Sequence, residues 1–375
     1  MPTPRVVLVA PNAFKGALSA VDAAKAIAAG VAAACPPAEI ISRPMADGGD
    51  GTVDVLVSAT GGTRTRLAAR DPWGQVHRVP CGHLPDGTVV IEVAATSGLG
   101  RKRPTPTEAL AASSAGVGDA IAAAGSDRIW VALGGSAMTD GGAGLLLSLG
   151  ARYFDHAGQP VAAAGGGTLG AIASVDLAQL HRYDRTTIIA LRDVDAPLLG
   201  PTGTAFTFAA QKGADADAQR RLEAGLAHWA DVLEAATGRR ARHLPGAGAA
   251  GGLGFALAAA FGAQLVPGGP QVSAAVGLPG CVARADVTFT GEGRVDGQTV
   301  MGKVPVVVAA AAKAAGRPCL CLTGELGPGW EAMLTAGCTA LLPIGSGPAT
   351  LRQAMRATAT DLHRAAATAM RIVMR

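Results

Sequence analysis

Both ends of this chain alternate short apolar runs with helical segments, and that alternation leaves few folds open. VVLVAP at 6–11 is continuous and rich in Val, as a strand covered on both faces requires. SAVDAAKAIAAGVAAA at 19–34 follows, with Ser19 and Asp22 at capping-box spacing and Val21, Ala24, Ala28 and Val31 on one helical face. IISRPM at 40–45 then reads as a strand and TVDVLVSAT at 52–60 as a helix. Toward the other end, VTFT (287–290), PCLCLT (318–323) and TALLPI (339–344) alternate with helices expected near 303–315, 329–336 and 349–373. This is the pattern of a parallel sheet with helices on both faces.

The middle of the chain differs. Residues 63–97 are short alternating runs broken by the turn sequences D-P-W-G at 71–74 and P-D-G at 85–87, which predict an antiparallel meander. A helix is expected from Thr105 and Glu108 onward through Leu110, Val117 and Ile121, then strands at 129–133 and 186–191. DADAQRRLEAGLAHWADVLEAAT at 215–237 is a further helix, with Leu222, Leu226, Trp229 and Leu233 on one side. The expected fold is therefore α/β. Residues 1–62 and 245–375 form a doubly wound, mostly parallel domain, 63–244 form an inserted mixed α/β domain, and the active site falls in the cleft between them. A chain of 375 residues exceeds what one core usually serves, in agreement with two domains.

Composition excludes several function classes. No apolar stretch is long enough to cross a bilayer and the opening MPTPRVVLVAP lacks the apolar core of a signal peptide, so a cytoplasmic protein is expected. The six cysteines at 35, 81, 281, 319, 321 and 338 contain no C-x-x-C and are expected to be reduced and mostly buried. The net charge is +4, the one dense basic run is RKR at 101–103, and aromatics are 3%, which argues against nucleic-acid binding. A small anionic ligand fits this balance better.

The chemistry-bearing residues gather after strands. MADGGDGT at 45–52 and GGSAMTDGGAG at 134–144 each set Asp beside bare backbone directly after an apolar run. Only six of the thirty-two Lys and Arg residues are lysine, and three of these, Lys15, Lys212 and Lys303, adjoin a glycine. An ammonium beside exposed backbone N–H groups suits a phosphate oxygen. Asp47, Asp140, Asp193, Asp195, Glu292 and Asp296 are all expected in loops following strands, with Asp193 and Asp195 pointing the same way. Acids near phosphate loops suggest Mg2+, a hard cation held jointly by carboxylates and phosphate oxygens. Helix capping and turn formation by Asp are the structural alternative.

Other motifs are incomplete. GAGAAG at 246–251 has the G-x-G-x-x-G spacing, but no clear strand precedes it and no acid stands about twenty positions on, so a nicotinamide-dependent oxidoreductase has little support. GQTVMGK at 297–303 has the spacing of a Walker loop, yet Val304 replaces the hydroxyl residue that would meet magnesium. Both segments are expected to open helices whose free N–H groups could receive an anion. Glu92, an acid in an apolar strand, is expected either at a sheet edge or as a substrate contact.

PNAFKG (11–16), MADGGDGT, IEVAATSGL (91–99), GGSAMTDGGAG, DVDAPLLGPTG (193–203), AQKGA, GAGAAGGLG (246–254) and TGEGRVDGQTVMGKVP (290–305) together resemble the bacterial glycerate kinase family, type 1. The resemblance runs in the family's order from the first strand to beyond residue 305. Ala13, Met138, Thr139, Arg192, Ala196 and Asp50 depart from the usual pattern, without removing a carboxylate or lysine from the site. It implies a two-domain α/β enzyme, monomeric or homodimeric, that uses ATP and Mg2+ to phosphorylate D-glycerate. The product is expected to be 2-phosphoglycerate, with 3-phosphoglycerate, or a nucleotide-binding sensor without turnover, as alternatives. In that assignment Asp193 is the general base with Asp195 beside it. Lys15 and Lys303 neutralise phosphate or carboxylate oxygens, Asp47, Glu292 and Asp296 organise magnesium, and Gly48, Gly49, Gly291 and Gly293 approach the nucleotide. Lys212, Ser136 and Asp140 contact substrate or phosphate.

Overall fold

The computed structural model describes residues 6–374 apart from 101, 163 and 164, so Arg101 of the RKR run lies outside the described residues. The strands in chain order are β1 (Val6–Val9), β2 (Glu39–Ser42), β3 (Thr63–Arg70), β4 (Val76–His83), β5 (Val89–Glu92), β6 (Arg128–Ala132) and β7 (Arg152–Phe154). They continue as β8 (Ser174–Asp176), β9 (Thr187–Arg192), β10 (Gln264–Pro267), β11 (Val287–Val295), β12 (Cys319–Leu326) and β13 (Ala340–Pro343). The chain is mixed α/β and divides into two compact units. One comprises residues 1–47, 54–60 and 269–375, the other 48–53 and 61–268. The segment 245–268, grouped with the chain ends in the sequence expectation, belongs to the second unit.

The first unit is built on a five-stranded sheet in the order β13-β12-β11-β1-β2, parallel throughout. From β1 the chain winds outward to β2, whereas β11, β12 and β13 wind the other way, so the strand order reverses between β1 and β11. In a doubly wound sheet that reversal opens a crevice at the carboxyl ends of the two strands, where ligands bind. The helix Ala20–Ala34 starts as its sequence predicts, Ser19 Oγ accepting the Asp22 N–H at 3.1 Å. It packs on the sheet with the carboxyl-terminal helix Leu351–Val373, burying Ile27, Val31, Leu362, Ala366 and Met370 in one core with Val7, Val9 and Phe289.

The second unit has a six-stranded sheet in the order β10-β9-β6-β5-β4-β3. β3, β4 and β5 form the expected antiparallel meander, while β5, β6, β9 and β10 are parallel. The helix Ala216–Thr237 buries Leu222, Leu226, Trp229 and Leu233 completely, each such side chain contributing about 1.5–3 kcal/mol. The Trp229 indole N–H donates to Gly141 O at 2.9 Å and the Tyr153 hydroxyl to Ala143 O at 2.7 Å, so the core grips the second Asp-Gly-Gly stretch directly.

Three further expectations differ from the structure. The helix expected from Thr105 is two, Pro106–Ala111 and Ala115–Ala124, because the N–H and hydroxyl of Ser114 are both drawn to Asp140. β11 continues past VTFT to Val295, so Glu292 is a strand residue rather than a loop residue. GAGAAG does not open a regular helix, since Ala250, Gly251 and Gly252 are all left-handed, with φ of 52°, 71° and 87°. The left-handed conformation costs a non-glycine residue about 1–2 kcal/mol. Ala250→Gly is therefore expected to leave stability unchanged or raise it by up to about 1 kcal/mol, and Ala250→Val to lower it. Urea midpoints check this, and a Val variant as stable as the wild type would refute the strain.

Candidate functional site

In the first unit the candidate residues meet where the sheet reverses. Lys15 follows β1 and Glu292 lies in β11. The N–H of Asn12 donates to Gly291 O at 2.8 Å, which extends the β1–β11 contact into the PNAFKG loop. The backbone at Phe14 and Lys15 then passes Gly293, where a Cβ would stand 3.4 Å from Lys15 N. Gly291 has a packing reason of its own, because a Cβ there would fall 2.2 Å from Leu322 O of the neighbouring strand. Glu292 is buried, and its Oε1 accepts the Thr299 hydroxyl at 2.7 Å.

Burial pushes the Glu292 carboxyl up to about 7. The Thr299 hydrogen bond and the Lys303 charge oppose this, and the charges of Asp47 and Asp296 reinforce it. Asp47, Asp296 and Lys303 thus all lie within electrostatic reach of one buried carboxylate. Asp47 and Asp296 are half-buried and Lys15 is exposed. Asp296 Oδ1 accepts the Gln298 N–H at 2.9 Å, and Oδ2 pairs with Arg294 at 3.3 Å. Among the described residues no three His, Cys, Asp or Glu side chains form a metal cage by themselves. One or two carboxylates beside lysines are instead the donor set for a magnesium ion that keeps phosphate oxygens among its ligands, so the group fits.

The raised Glu292 value has a measurable sign. Below about pH 4.5 the carboxyl is protonated whether folded or unfolded, and burial costs nothing. As pH rises from there through about 7 the folded state holds the proton the unfolded state has lost, so ionisation progressively lowers stability, by about 3 kcal/mol once complete. Glu292→Gln is expected to raise the melting temperature of ligand-free protein at pH 8 and to leave it nearly unchanged at pH 4.5. An equal effect at both pH values would refute the assignment.

The second unit gathers its groups at the carboxyl ends of β6 and β9. The Gly134 N–H donates to Gly48 O at 3.1 Å, and a Cβ on Gly134 would lie 2.6 Å from Gly49 Cα. Gly48 has φ +90°, and a Cβ there would meet Leu191 O at 2.8 Å. Bare backbone in the two glycine stretches is thus what lets the segments touch. Asp193 Oδ2 stands 3.3 Å from the position a Gly134 Cβ would take. Lys212 is buried, its ammonium donating to Ser136 Oγ at 2.9 Å and to Met138 O at 2.8 Å. Burial draws its pKa down to about 8, while the nearby charges of Asp140 and Asp193 resist.

Not every candidate faces a ligand. Asp140 is wholly enclosed: Oδ2 accepts the Ser114 N–H, the Ser114 hydroxyl and the Gly144 N–H at 2.7, 2.8 and 3.1 Å, and Oδ1 accepts the Gly142 N–H at 3.1 Å. This is the geometry of a loop anchor. Asp195 pairs with Arg192 on its own turn. Glu92 is not at a sheet edge, because β5 lies between β4 and β6, and its Oε1 accepts the Val53 N–H at 2.5 Å. All six cysteines are free and only Cys281 is not buried, as expected. Thr299 and Ser114 were not singled out from the sequence. Thr299 was visible inside the Walker-like spacing, whereas nothing local marks Ser114.

Two α/β units with acids and lysines at the carboxyl ends of parallel strands define an enzyme class that handles small anionic ligands. Within it, the sequence model of the glycerate kinase family matches residues 7–374, and this chain belongs to that family. The glycerate kinase of Bacillus subtilis (strain 168) is 40% identical over 365 residues, covering 96% of this chain and 95% of its own. The glycerate 2-kinase of Escherichia coli (strain K12) is 35% identical over 364 residues, with 96% and 95% covered. A crystal structure assigned to glycerate kinase 2 of Salmonella typhimurium LT2 superposes with a TM-score of 0.83 at 35% identity, covering 98% of each chain. No helix among the described residues is long and apolar enough to cross a membrane.

Proposed function

We propose that this protein is a cytoplasmic enzyme that transfers the γ-phosphoryl group of ATP to D-glycerate, forming 2-phosphoglycerate. The observation that supports this most is the set of Lys15, Asp47, Glu292, Asp296 and Lys303 at the strand-order reversal of the first unit. Phosphoryl transfer is largely positioning and charge stabilisation, and this set supplies both. Lys15 and Lys303 neutralise phosphate oxygens. Glu292, with Asp47 or Asp296, would hold a magnesium ion that offsets charge on the transferring group. In the second unit Lys212 and Ser136 orient the acceptor's carboxylate, Asp193 takes the proton of the attacking hydroxyl, and Asp140 holds the loop that carries Ser136.

A coupled ADP-release assay with D-glycerate, L-glycerate, glycerol and hydroxypyruvate tests the reading. Magnesium-dependent turnover with D-glycerate is expected, and phosphorus NMR of the product should show the 2-hydroxyl modified. Modification at the 3-hydroxyl would change the product assigned. Nucleotide binding without ADP release from any of the four compounds would leave the sensor reading in its place.

A further inference from the structure

Four hydrogen bonds join Thr299 to the Glu292 carboxylate and to the backbone of Asp296 and Lys303, the charged residues of the cluster on its own stretch of chain. Its hydroxyl donates to Glu292 Oε1 at 2.7 Å and accepts the Asp296 N–H at 3.1 Å. Its own N–H donates to Asp296 O at 2.9 Å, and its carbonyl accepts the Lys303 N–H at 3.2 Å. Thr299 is completely buried, and Lys303 stands at the N-cap position of the helix Val304–Ala314. One residue therefore ties the strand that carries Glu292 and the turn that carries Asp296 through its hydroxyl, and the helix start that carries Lys303 through its backbone carbonyl. In a Walker loop a hydroxyl after the lysine faces the cation. Here the hydroxyl precedes the lysine and faces a carboxylate.

We propose that Thr299 is a positioning residue that presents Glu292, Asp296 and Lys303 as one set, and that its hydroxyl is needed for magnesium-dependent nucleotide affinity. Engagement of Oε1 fixes the rotation of the Glu292 carboxylate and so the direction in which Oε2 can reach a cation. Valine has the same shape but cannot donate to Glu292 or accept from Asp296, which leaves the buried Glu292 oxygen and the Asp296 N–H without this partner. The inference rests on the kinase reading only for the identity of the ligand.

The test is titration of the full-length protein with a fluorescent ATP analogue, once with Mg2+ and once with EDTA. Thr299→Val is expected to weaken binding about 10- to 100-fold with Mg2+ and to leave binding in EDTA unchanged, while Thr299→Ser stays within about threefold of the wild type. Unchanged Mg2+-dependent affinity in the Val variant would overturn the proposal, as would an equal loss in EDTA, which marks a merely structural role. If the Val variant does not fold, Thr299→Ser still decides, since a tenfold loss despite the retained hydroxyl overturns it. A wild type that binds no nucleotide overturns this proposal and the kinase reading together. A wild type that binds nucleotide through Thr299 but phosphorylates none of the acceptors sinks only the kinase reading.

Discussion

Asp193→Asn lowers kcat for glycerate phosphorylation by about a hundredfold or more, far beyond any change in the folded fraction. The size follows from the role, since a positioned general base typically contributes about 10²–10⁴-fold. The effect on stability is small beside this, because Asp193 is exposed at the end of β9 and its charge acts on Lys212 together with that of Asp140. Its placement at the Gly134 turn, with its charge acting on the Lys212 ammonium, sets it beside the group proposed to hold the acceptor's carboxylate. The asparagine keeps the shape and loses the proton acceptor, so KM for glycerate should change far less than kcat. Steady-state kinetics decide the matter. A loss of only two- or threefold would remove Asp193 from proton transfer, well below the range for a general base.

Asp140→Ala is expected to have the largest effect on stability, about 3–5 kcal/mol, read as a shift of the urea midpoint of the second unit. Truncation leaves the Ser114 N–H and hydroxyl and the Gly142 and Gly144 N–H groups without their acceptor in a dry interior. It also withdraws a negative charge that helps keep Lys212 protonated. Asp140→Asn should recover only part of this, because one of the two positions then presents a donor to a donor. Activity should fall at least in proportion to the folded fraction, since the fully enclosed carboxylate acts through its loop and Lys212 rather than on substrate. An alanine variant as stable as the wild type but unable to bind glycerate would return Asp140 to the substrate.

The two Asp-Gly-Gly stretches look alike in sequence and do different work. In the first, Asp47 acts on the Glu292 carboxyl while Gly48 and Gly49 make room against Leu191 and Gly134. In the second, Asp140 is enclosed by its own loop and by Ser114. Local pattern marks both as strand-end turns and cannot say which carboxylate stays accessible. Glu92 carries the same lesson, since an acid in an apolar strand reads equally well as an edge residue or a contact. Its observed partner, the Val53 N–H, lies 39 residues away.

The amino-acid sequence alone determined the α/β class, the β-α alternation at both chain ends, the central meander, the caps at Ser19 and Thr105, and the family. Each of these depends on periodicity, on contacts within one or two turns, or on ordered motifs. Only the tertiary structure decided the enclosure of Asp140, the break of the helix at Ser114, the extension of β11 through Glu292 and the bridging hydroxyl of Thr299. Burial and hydrogen-bond satisfaction are set by which distant backbone N–H groups arrive at a carboxylate once the chain has folded, and the period of a sequence carries no record of that.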